Sequence, residues 1–361
     1  MARHIQSGQR KMNNLKDNPY VQDILSQGES LKNALAQFDS SVIKPFAESL
    51  QRGDFDRIVL TGMGGSYFAS YPIWLLLANA GLPAILVDCA ELIHHSRALI
   101  TPRTLLWVAS QSGRSAEIIS VLELSKQAGS TLLATVNDLS SPLAQVAQKN
   151  VIPIHAEVEK TVSTRTYINT LAVSQLAALG LMNRNLEQGM DDLKSTASGL
   201  VDYFADWENH LQVIRNRVPP PRNLVLLGRG HSLAAACAGA LILGEASKFA
   251  AIGMQAGEFR HGPLELASPE LTVLLFAGPR ETQELNRRLQ KDLNKAGARA
   301  LWITSPEEAD HDTCIHMPRA QGIGFPLAEI VPVQMLTIHL ALTKDVEPGK
   351  FFRVGKITLS E

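Results

Sequence analysis

The chain contains two copies of one sequence pattern. The segment Arg57-Ile-Val-Leu-Thr-Gly62-Met-Gly64-Gly65-Ser66 has a counterpart in the second half, Asn223-Leu-Val-Leu-Leu-Gly228-Arg-Gly230-His231-Ser232. In both copies an apolar segment of strand length precedes a glycine-rich loop, and a helical pattern follows the loop. Because a loop that opens a helix presents free N–H groups, it can bind an anion. We therefore predict two halves with one strand-loop-helix plan and an anion-binding loop in each.

The composition allows two domains of ordinary size. With 361 residues, of which 45% are hydrophobic, the chain can bury two cores. Its 34 basic and 35 acidic residues give a net charge of −1, which predicts no binding to nucleic acid or to a membrane surface. The predicted partner is a small molecule.

Cysteine usage predicts a reducing compartment. Cys89, Cys237 and Cys314 are odd in number and widely spaced, so we expect neither a disulfide framework nor a zinc site, and a cytoplasmic location. The residues after Met1 lack the apolar core of a secretory signal. The longest apolar stretch, from Tyr71 to Val87, is interrupted by two prolines, an asparagine and a glycine. It therefore predicts a buried helix, a turn and a strand, not a membrane span.

Short apolar segments alternate with helical patterns from Arg57 onward, which is typical of a parallel sheet covered on both faces. The predicted strands are 58–60, 84–87, 104–109, 131–136 and 151–154 in the first half, and 224–227, 250–252, 271–276, 300–303 and 313–316 in the second. The predicted fold class is α/β, with two flavodoxin-like, doubly wound parallel sheets flanked by helices. We place a helical lead-in at 1–50, which Asn18-Pro19 helps to start, domains at 51–200 and 201–345, and a tail with its own role at 346–361.

The strongest chemical signal is the loop Ser110-Gln111-Ser112-Gly113-Arg114-Ser115. It lies between the predicted strand 104–109 and a helix that begins at Ala116. Free backbone N–H groups and the positive end of the helix dipole meet three hydroxyls there, a combination that suits a phosphate monoester. The alternative is that the serines only cap the helix, which is a common role of serine. Ser66, at the end of the first glycine loop, favours phosphate binding.

A dinucleotide site is the competing interpretation of the first glycine loop. Gly62-Met-Gly64 follows a strand, and Asp88 closes the next one, as in half of a Rossmann fingerprint. However, Tyr67 occupies the position of the third glycine, and neither glycine loop carries the Gly-Lys-Ser/Thr of a Walker motif. These departures argue against a nucleotide.

Taken together, the motifs resemble the sugar isomerase (SIS) superfamily, and within it the isomerase half of glucosamine-6-phosphate synthase. The matching segments are Gly62-Met-Gly64-Gly65-Ser66, Ser110-Gln111-Ser112-Gly113 with Ser115, Val162-Ser163-Thr164-Arg165, Gly257-Glu258-Phe-Arg-His261-Gly262-Pro263 and Lys356-Ile-Thr-Leu-Ser-Glu361. Glu245 precedes His261 by 16 residues, as the catalytic glutamate of that family does. The resemblance covers nearly the whole chain and implies two tandem SIS domains.

The resemblance implies aldose–ketose chemistry on a phosphosugar. His261 would open the sugar ring, Glu245 would move a proton between C1 and C2, and Lys356 would contact the sugar or form an imine with its carbonyl. The phosphate would be bound by Ser66, Ser110, Gln111, Ser112 and Ser115, with weaker substrate contacts from Gly64, Gly65, Ser163 and Thr164. The family further implies a homodimer in which the histidine reaches the site from the neighbouring subunit, with no metal and no organic cofactor.

Each proposed catalytic residue has a plainer alternative. Glu245 ends an apolar helical segment, where burial would raise the pKa of its carboxyl toward that of a general base, but it could instead pair with Lys248. A histidine in a loop, such as His261, and a lysine near a chain end, such as Lys356, are usually solvated. The resemblance favours the catalytic roles.

Differences from the synthase narrow the expected function. We expect no glutaminase domain before the first half, since Ala2 follows Met1 where the synthase has a nucleophilic cysteine. In addition, Ala238 and Ile242 stand where the synthase helix has an acid and a lysine. Gly65 and Arg114 replace a threonine and a glutamate of the family. We therefore expect a deaminase or deglycase that releases ammonia or an amine from an amino-sugar phosphate or a phosphorylated Amadori compound. One alternative is an isomerase/aminotransferase subunit that uses external ammonia on fructose 6-phosphate. Another is a non-catalytic phosphosugar-sensing regulator, although no basic helix-turn-helix is evident in the first 50 residues.

Overall fold

Two parallel five-stranded sheets form the framework of the protein. The computed structural model describes residues 15–308, 311–353 and 355–358. The strands of the first sheet are β1 (Arg57–Thr61), β2 (Ala84–Leu86), β3 (Thr104–Ser110), β4 (Thr131–Val136) and β5 (Val151–Pro153). Those of the second are β6 (Asn223–Gly228), β7 (Ile252–Gln255), β8 (Leu271–Phe276), β9 (Arg299–Thr304) and β10 (Cys314–His316).

Both sheets have the same topology. The first has the order β2-β1-β3-β4-β5, and the second, read from the matching edge, has the order β7-β6-β8-β9-β10. This is the flavodoxin-like, doubly wound order. The predicted fold class is therefore confirmed, and the repeated sequence pattern corresponds to a repeated topology.

Helices surround and connect the two sheets. Before the first sheet lie α1 (Pro19–Leu25), α2 (Gln27–Ala36) and α3 (Lys44–Gln51); within the first half lie α4 (Gly64–Asn79), α5 (Cys89–His94), α6 (Ala116–Ala128) and α7 (Pro142–Ala147). Then follow α8 (Arg165–Leu181), α9 (Leu186–Ala205), α10 (Trp207–Arg217), α11 (Ser232–Ser247), α12 (Ala256–Phe259), α13 (Arg280–Lys295), α14 (Phe325–Glu329) and α15 (Val331–Thr343).

The predicted lead-in is helical where it is described. The Asn18 side chain accepts a hydrogen bond from the Val21 N–H and caps α1, which has proline at its start. Residues 1–14 of the predicted lead-in lie outside the described residues. The domain boundaries at 51–200 and 201–345 remain a prediction.

The central strands are buried along their whole length. Every residue of β3 and of β8 is buried, because helices cover both faces of each sheet. This burial explains why these strands read as continuous apolar segments in the sequence.

One predicted strand is displaced along the chain. The strand expected at 250–252 lies instead at Ile252–Gln255. Lys248 ends α11 in the left-handed conformation, with φ of 56°, and Phe249 N–H donates to the carbonyl of Leu243. The residues after this cap are needed to return the chain to the sheet, so pairing with β6 begins only at Ile252.

One segment resembles a membrane span by length and composition. The helical residues Gly322–Thr343 have a mean hydropathy of 1.5, but 89% of the segment is buried inside the protein. This burial is typical of a core helix, which is apolar on all sides.

Candidate active site

A cavity of about 310 Å³ lies where the carboxyl ends of β1 and β3 diverge. This is the point where the strand order reverses, and it is where ligands bind in open α/β sheets. Residues of both halves line the cavity. The predicted site residues among them are Gly64, Gly65, Ser66, Ser110, Gln111, Ser112, Ser115, Ser163, Glu245 and Lys356.

The serine loop is held in shape by its own hydrogen bonds. Ser110 Oγ accepts from Gly113 N–H at 3.0 Å, and Ser112 Oγ accepts from Arg114 N–H at 3.3 Å. Gly113 has a φ of 61°, and a Cβ there would lie 2.3 Å from Ser141 Oγ. Only glycine fits this position, so the loop is pre-organised before any ligand binds.

Ser115 is the N-cap residue of α6, and the alternative interpretation was that its hydroxyl only caps the helix. Among the described residues its side chain forms no capping hydrogen bond. The hydroxyl instead lines the cavity at the start of a helix, where the helix dipole favours an anion. This arrangement supports phosphate binding by the loop.

Glu245 enters the cavity from the second half. It lies in the last turn of α11, which packs against α4, α15, β6 and β7 and is therefore apolar on all sides. Burial raises the pKa of the Glu245 carboxyl, although Lys248 and Lys356 act in the opposite direction. Lys248 Nζ donates to the main-chain oxygens of Glu245 and Lys350. A carboxyl with a raised pKa in a cavity has the properties of a general base.

Lys356 reaches the same cavity from the C-terminal tail. Its side chain is 19% exposed, so the alternative of a fully solvated lysine does not apply. Burial lowers the pKa of the Lys356 amine, while the neighbouring Glu159 raises it. Its amine donates to the main-chain oxygen of Glu159 at 2.6 Å. Of the tail predicted at 346–361, residues 354 and 359–361 lie outside the described residues.

Two predicted site residues lie elsewhere. Thr164 is buried, and its N–H and hydroxyl both donate to Glu159 Oε1. His261 is exposed in a turn after α12 and does not line the cavity. The contribution of His261 to the site of a neighbouring subunit therefore remains a prediction.

The second glycine loop differs from the first. The Ser232 hydroxyl, at the start of α11, donates to Glu329 Oε1 at 2.5 Å, and His231 Nδ1 lies 3.2 Å from Glu329 Oε2. The Glu329 side chain is only 4% exposed, and it raises the pKa of His231 against the effect of burial. At the helix start where the sequence predicted a second anion-binding loop, the side chains of His231 and Ser232 therefore contact a carboxylate of the chain itself.

Several cavity residues were not predicted from the sequence. Glu117 directly follows the start of α6, is buried, and has an Oε2 atom without a hydrogen-bond partner among the described residues. The hydroxyl of Tyr167 is also buried and has no hydrogen-bond partner among the described residues. Gln334 lies on the opposite wall, where it exchanges two hydrogen bonds with Gln27. The sequence signal that could have identified Glu117 is an acid two residues after the serine loop.

Helix α11 contributes part of the apolar wall of the cavity. Ala238, Leu241 and Ile242 line it together with Glu245. Ala238 and Ile242 are the positions at which the sequence departs from the synthase. Within the described ranges, no group of three or more His, Cys, Asp or Glu residues is placed to hold a metal ion.

The fold and cavity define a doubly wound α/β protein with a ligand-sized cavity between its two halves. The SIS domain matches residues 54–180 and 220–344. The chain belongs to the SIS domain family.

Curated relatives of this chain include two archaeal enzymes. The chain is 26% identical over 343 residues to glutamine–fructose-6-phosphate aminotransferase [isomerizing] of Thermococcus kodakarensis, and the match covers 91% of this chain and 56% of the relative. It is 28% identical to the enzyme of the same name from Pyrococcus horikoshii, with the same coverage. The chain thus spans little more than half the length of these relatives.

Solved structures share the fold. The C-terminal domain of glucosamine-fructose-6-phosphate aminotransferase from Francisella tularensis superposes with a TM-score of 0.81 at 20% identity, covering 92% of this chain and 98% of that one. Glucosamine-6-phosphate deaminase from Thermotoga maritima gives 0.76 at 18% identity, covering 95% and 100%. Tagatose-6-phosphate ketose/aldose isomerase from Escherichia coli gives 0.74 at 20% identity, covering 92% and 96%.

Proposed function

We propose that this protein catalyses proton transfer on an amino-sugar phosphate or a phosphorylated Amadori compound and releases ammonia or an amine. The observation that carries the proposal is the convergence of three features in one cavity. The serine loop at the start of α6, the Glu245 carboxyl and the Lys356 amine all line it. A phosphate site beside a buried base and a cation is the arrangement that aldose–ketose chemistry requires.

In the proposed mechanism the phosphate fixes the substrate and Glu245 acts on its carbon chain. Ser66, Ser110, Gln111, Ser112 and Ser115 bind the phosphate at the positive end of α6. Glu245 takes a proton from the carbon that bears the nitrogen and returns it to the neighbouring carbon through an enolamine, which leaves an imine. Water then adds to the imine carbon, the C–N bond breaks, and ammonia or the amine leaves as the carbonyl forms. Lys356 donates to a substrate oxygen or forms an imine with the carbonyl carbon. His261 of a second subunit opens the sugar ring.

Release of an amine is favoured over its incorporation by the wall of the cavity. Ala238 and Ile242 make this wall apolar, whereas the resembled synthase has an acid and a lysine there. The likeness to a structure named glucosamine-6-phosphate deaminase is compatible with release, but at 18% identity it reports the fold alone.

The test is a screen of phosphosugar amines. The full chain is incubated with amino-sugar 6-phosphates and with fructosamine 6-phosphates that carry different amines. Free ammonia and free amine are measured, together with the sugar product, which is a ketose phosphate from the former and an aldose phosphate from the latter. Each compound is matched by its unphosphorylated form, which should not react. Release of ammonia or amine from a phosphorylated compound supports the proposal.

Two other outcomes identify the alternatives. Formation of glucosamine 6-phosphate from fructose 6-phosphate and ammonium would indicate an aminotransferase subunit. Stoichiometric binding of a phosphosugar without turnover of any compound would indicate a sensor. Either result would replace the proposed function.

A further inference from the structure

The Lys356 amine is held by a carboxylate that the sequence did not single out. Besides the 2.6 Å bond to the Glu159 carbonyl, Lys356 Nζ lies 3.5 Å from Glu159 Oε2. The Glu159 side chain is 0% exposed. The carboxylate is therefore enclosed by protein, and its partner amine lies between it and the cavity.

Glu159 is itself fixed by the start of α8. Its Oε1 accepts from Thr164 N–H at 2.9 Å, from Arg165 N–H at 2.6 Å and from the Thr164 hydroxyl at 2.8 Å. Its Oε2 accepts from the Thr166 hydroxyl at 2.5 Å. The carboxylate thus satisfies N–H groups that would otherwise be free at the start of this helix, and its orientation is set by at least four donors.

A second ion pair lies behind this carboxylate. Arg165 Nη2 lies 2.6 Å from Asp23 Oδ1, with side chains 8% and 11% exposed, and Arg165 Nη1 lies 2.6 Å from Glu157 Oε2. The charged groups that act on Lys356 are therefore Glu159 and Asp23, which favour the ammonium form, and Arg165, which opposes it. Lys356 in turn acts on Glu245.

We propose that Glu159 is a positioning residue, which holds the Lys356 ammonium at the cavity wall and so links the C-terminal tail to the start of α8. The inference rests on the proposed function, because Lys356 is assigned to the reaction there. Glu159 does not line the cavity, so it acts through Lys356 and not on the substrate. Thr164 and Thr166 then act on Lys356 only indirectly, because they hold Glu159 in place.

A double-mutant cycle tests this role in the full chain. Wild type, Glu159→Gln, Lys356→Met and the double variant are compared for kcat and KM on the compound that wild type turns over best. We expect Glu159→Gln to lower kcat by about 10-fold with little change in KM, and to cause no further loss when Lys356 is already Met. Equal losses in both backgrounds would show that Glu159 acts independently of Lys356, and would overturn the proposal.

A measurement that needs no turnover distinguishes failure of this proposal from failure of the proposed function. The rate at which acetic anhydride modifies Lys356 is followed against pH by mass spectrometry. Loss of the Glu159 charge should move the apparent pKa of the Lys356 amine downward, because a neighbouring anion favours the ammonium form. An unchanged value would contradict the positioning role. Lack of turnover by wild type, with the shift present, would contradict only the proposed function.

Two further variants control for folding. Glu157→Gln removes the exposed carboxylate that pairs with Arg165. Because the Glu157 side chain is 80% exposed, we expect wild-type kinetics and labelling. If Glu159→Gln fails to fold, as judged by circular dichroism, Glu159→Asp keeps the charge and withdraws it by one methylene. Glu159→Asp should lower kcat when Lys356 is present but not in the Lys356→Met background. Equal losses of kcat in both backgrounds would overturn the proposal.

Discussion

The main-chain N–H of Ala116 donates to the carbonyl of Thr358 at 3.2 Å, so the C-terminal tail meets the first residue of the helix that follows the serine loop. The tail is also bonded to α11, because Gly349 N–H donates to the carbonyl of Ala246 at 3.0 Å. Phe351 lines the cavity between these two contacts. The tail therefore forms one wall of the candidate site.

Two glycine substitutions test the importance of the tail position. Gly349 and Gly81 have φ values of 77° and 78°, but a Cβ on Gly349 would lie 2.4 Å from Tyr20 Cβ, whereas one on Gly81 would meet nothing within 4 Å. Both alanine variants carry a similar backbone strain of about 1–2 kcal/mol. We expect Gly349→Ala to displace the tail and lower kcat/KM by about 10-fold or more, and Gly81→Ala to leave it unchanged. Equal activity of the two variants would show that the tail position is unimportant.

The serine loop should determine affinity for the phosphate. Ser110→Ala together with Ser112→Ala removes two hydroxyl donors to a charged group, each worth roughly 1.5–3 kcal/mol. We expect KM for a phosphorylated substrate to rise on the order of 10²-fold, as measured by steady-state kinetics. Ser198→Ala, at an exposed position of α9, is the control. Wild-type affinity in the double variant would place the phosphate elsewhere.

Glu245→Gln should retain substrate binding but lose catalysis. The amide keeps the shape of the side chain and cannot accept a proton, so kcat should fall by roughly 10²-fold or more. Exchange of the C1 or C2 hydrogen with deuterated solvent, followed by NMR, should disappear as well. Persistent exchange would assign the proton transfer to another group, with His261 the first to examine.

The same variant should be more stable than wild type above acidic pH. Because burial raises the pKa of Glu245 in the folded chain, its contribution to the free energy of unfolding is full below the unfolded pKa and is lost as the pH rises through the folded pKa. Because a glutamine side chain does not ionise, the variant does not lose this part of the free energy of unfolding. The melting temperature of Glu245→Gln should exceed that of wild type at about pH 8 and match it near pH 4. Exposed Glu48→Gln should show no such difference; a wild-type melting curve for Glu245→Gln at both pH values would refute the effect.

A shared site predicts complementation between inactive variants. Glu245→Gln and His261→Ala proteins, unfolded together and refolded as a mixture, should recover about a quarter of wild-type activity, since about half of the dimers are mixed and each has one intact site. Native mass spectrometry measures the mixed dimers. Activity no higher than that of the two parents, with mixed dimers present, would rule out a histidine supplied by the neighbouring subunit.

Local patterns made most of the fold predictable. Strands such as β3 and β8 are buried on both faces, so their apolar character alone identifies them. The serine loop was predictable because its residues are contiguous. The strand at Ile252–Gln255 was misplaced because the left-handed cap at Lys248 depends on how α11 meets the sheet.

The contacts that complete the site could not be predicted, because they join distant parts of the chain. Lys356 meets Glu159 across 197 residues, and Ser232 meets Glu329 across 97 residues. Neither pair shares a periodic pattern or a motif. The proposed role of His261 depends on a second subunit, which a single sequence does not describe.

The Ser232–Glu329 contact has a consequence for stoichiometry. The two glycine loops are counterparts in the repeat, but Ser232 of the second loop donates to Glu329, whereas Ser66 of the first loop lines the cavity. The second half instead contributes Glu245, from the far end of the helix that begins at Ser232, to the cavity beside the loops of the first half. A calorimetric titration should therefore count one phosphosugar for each chain.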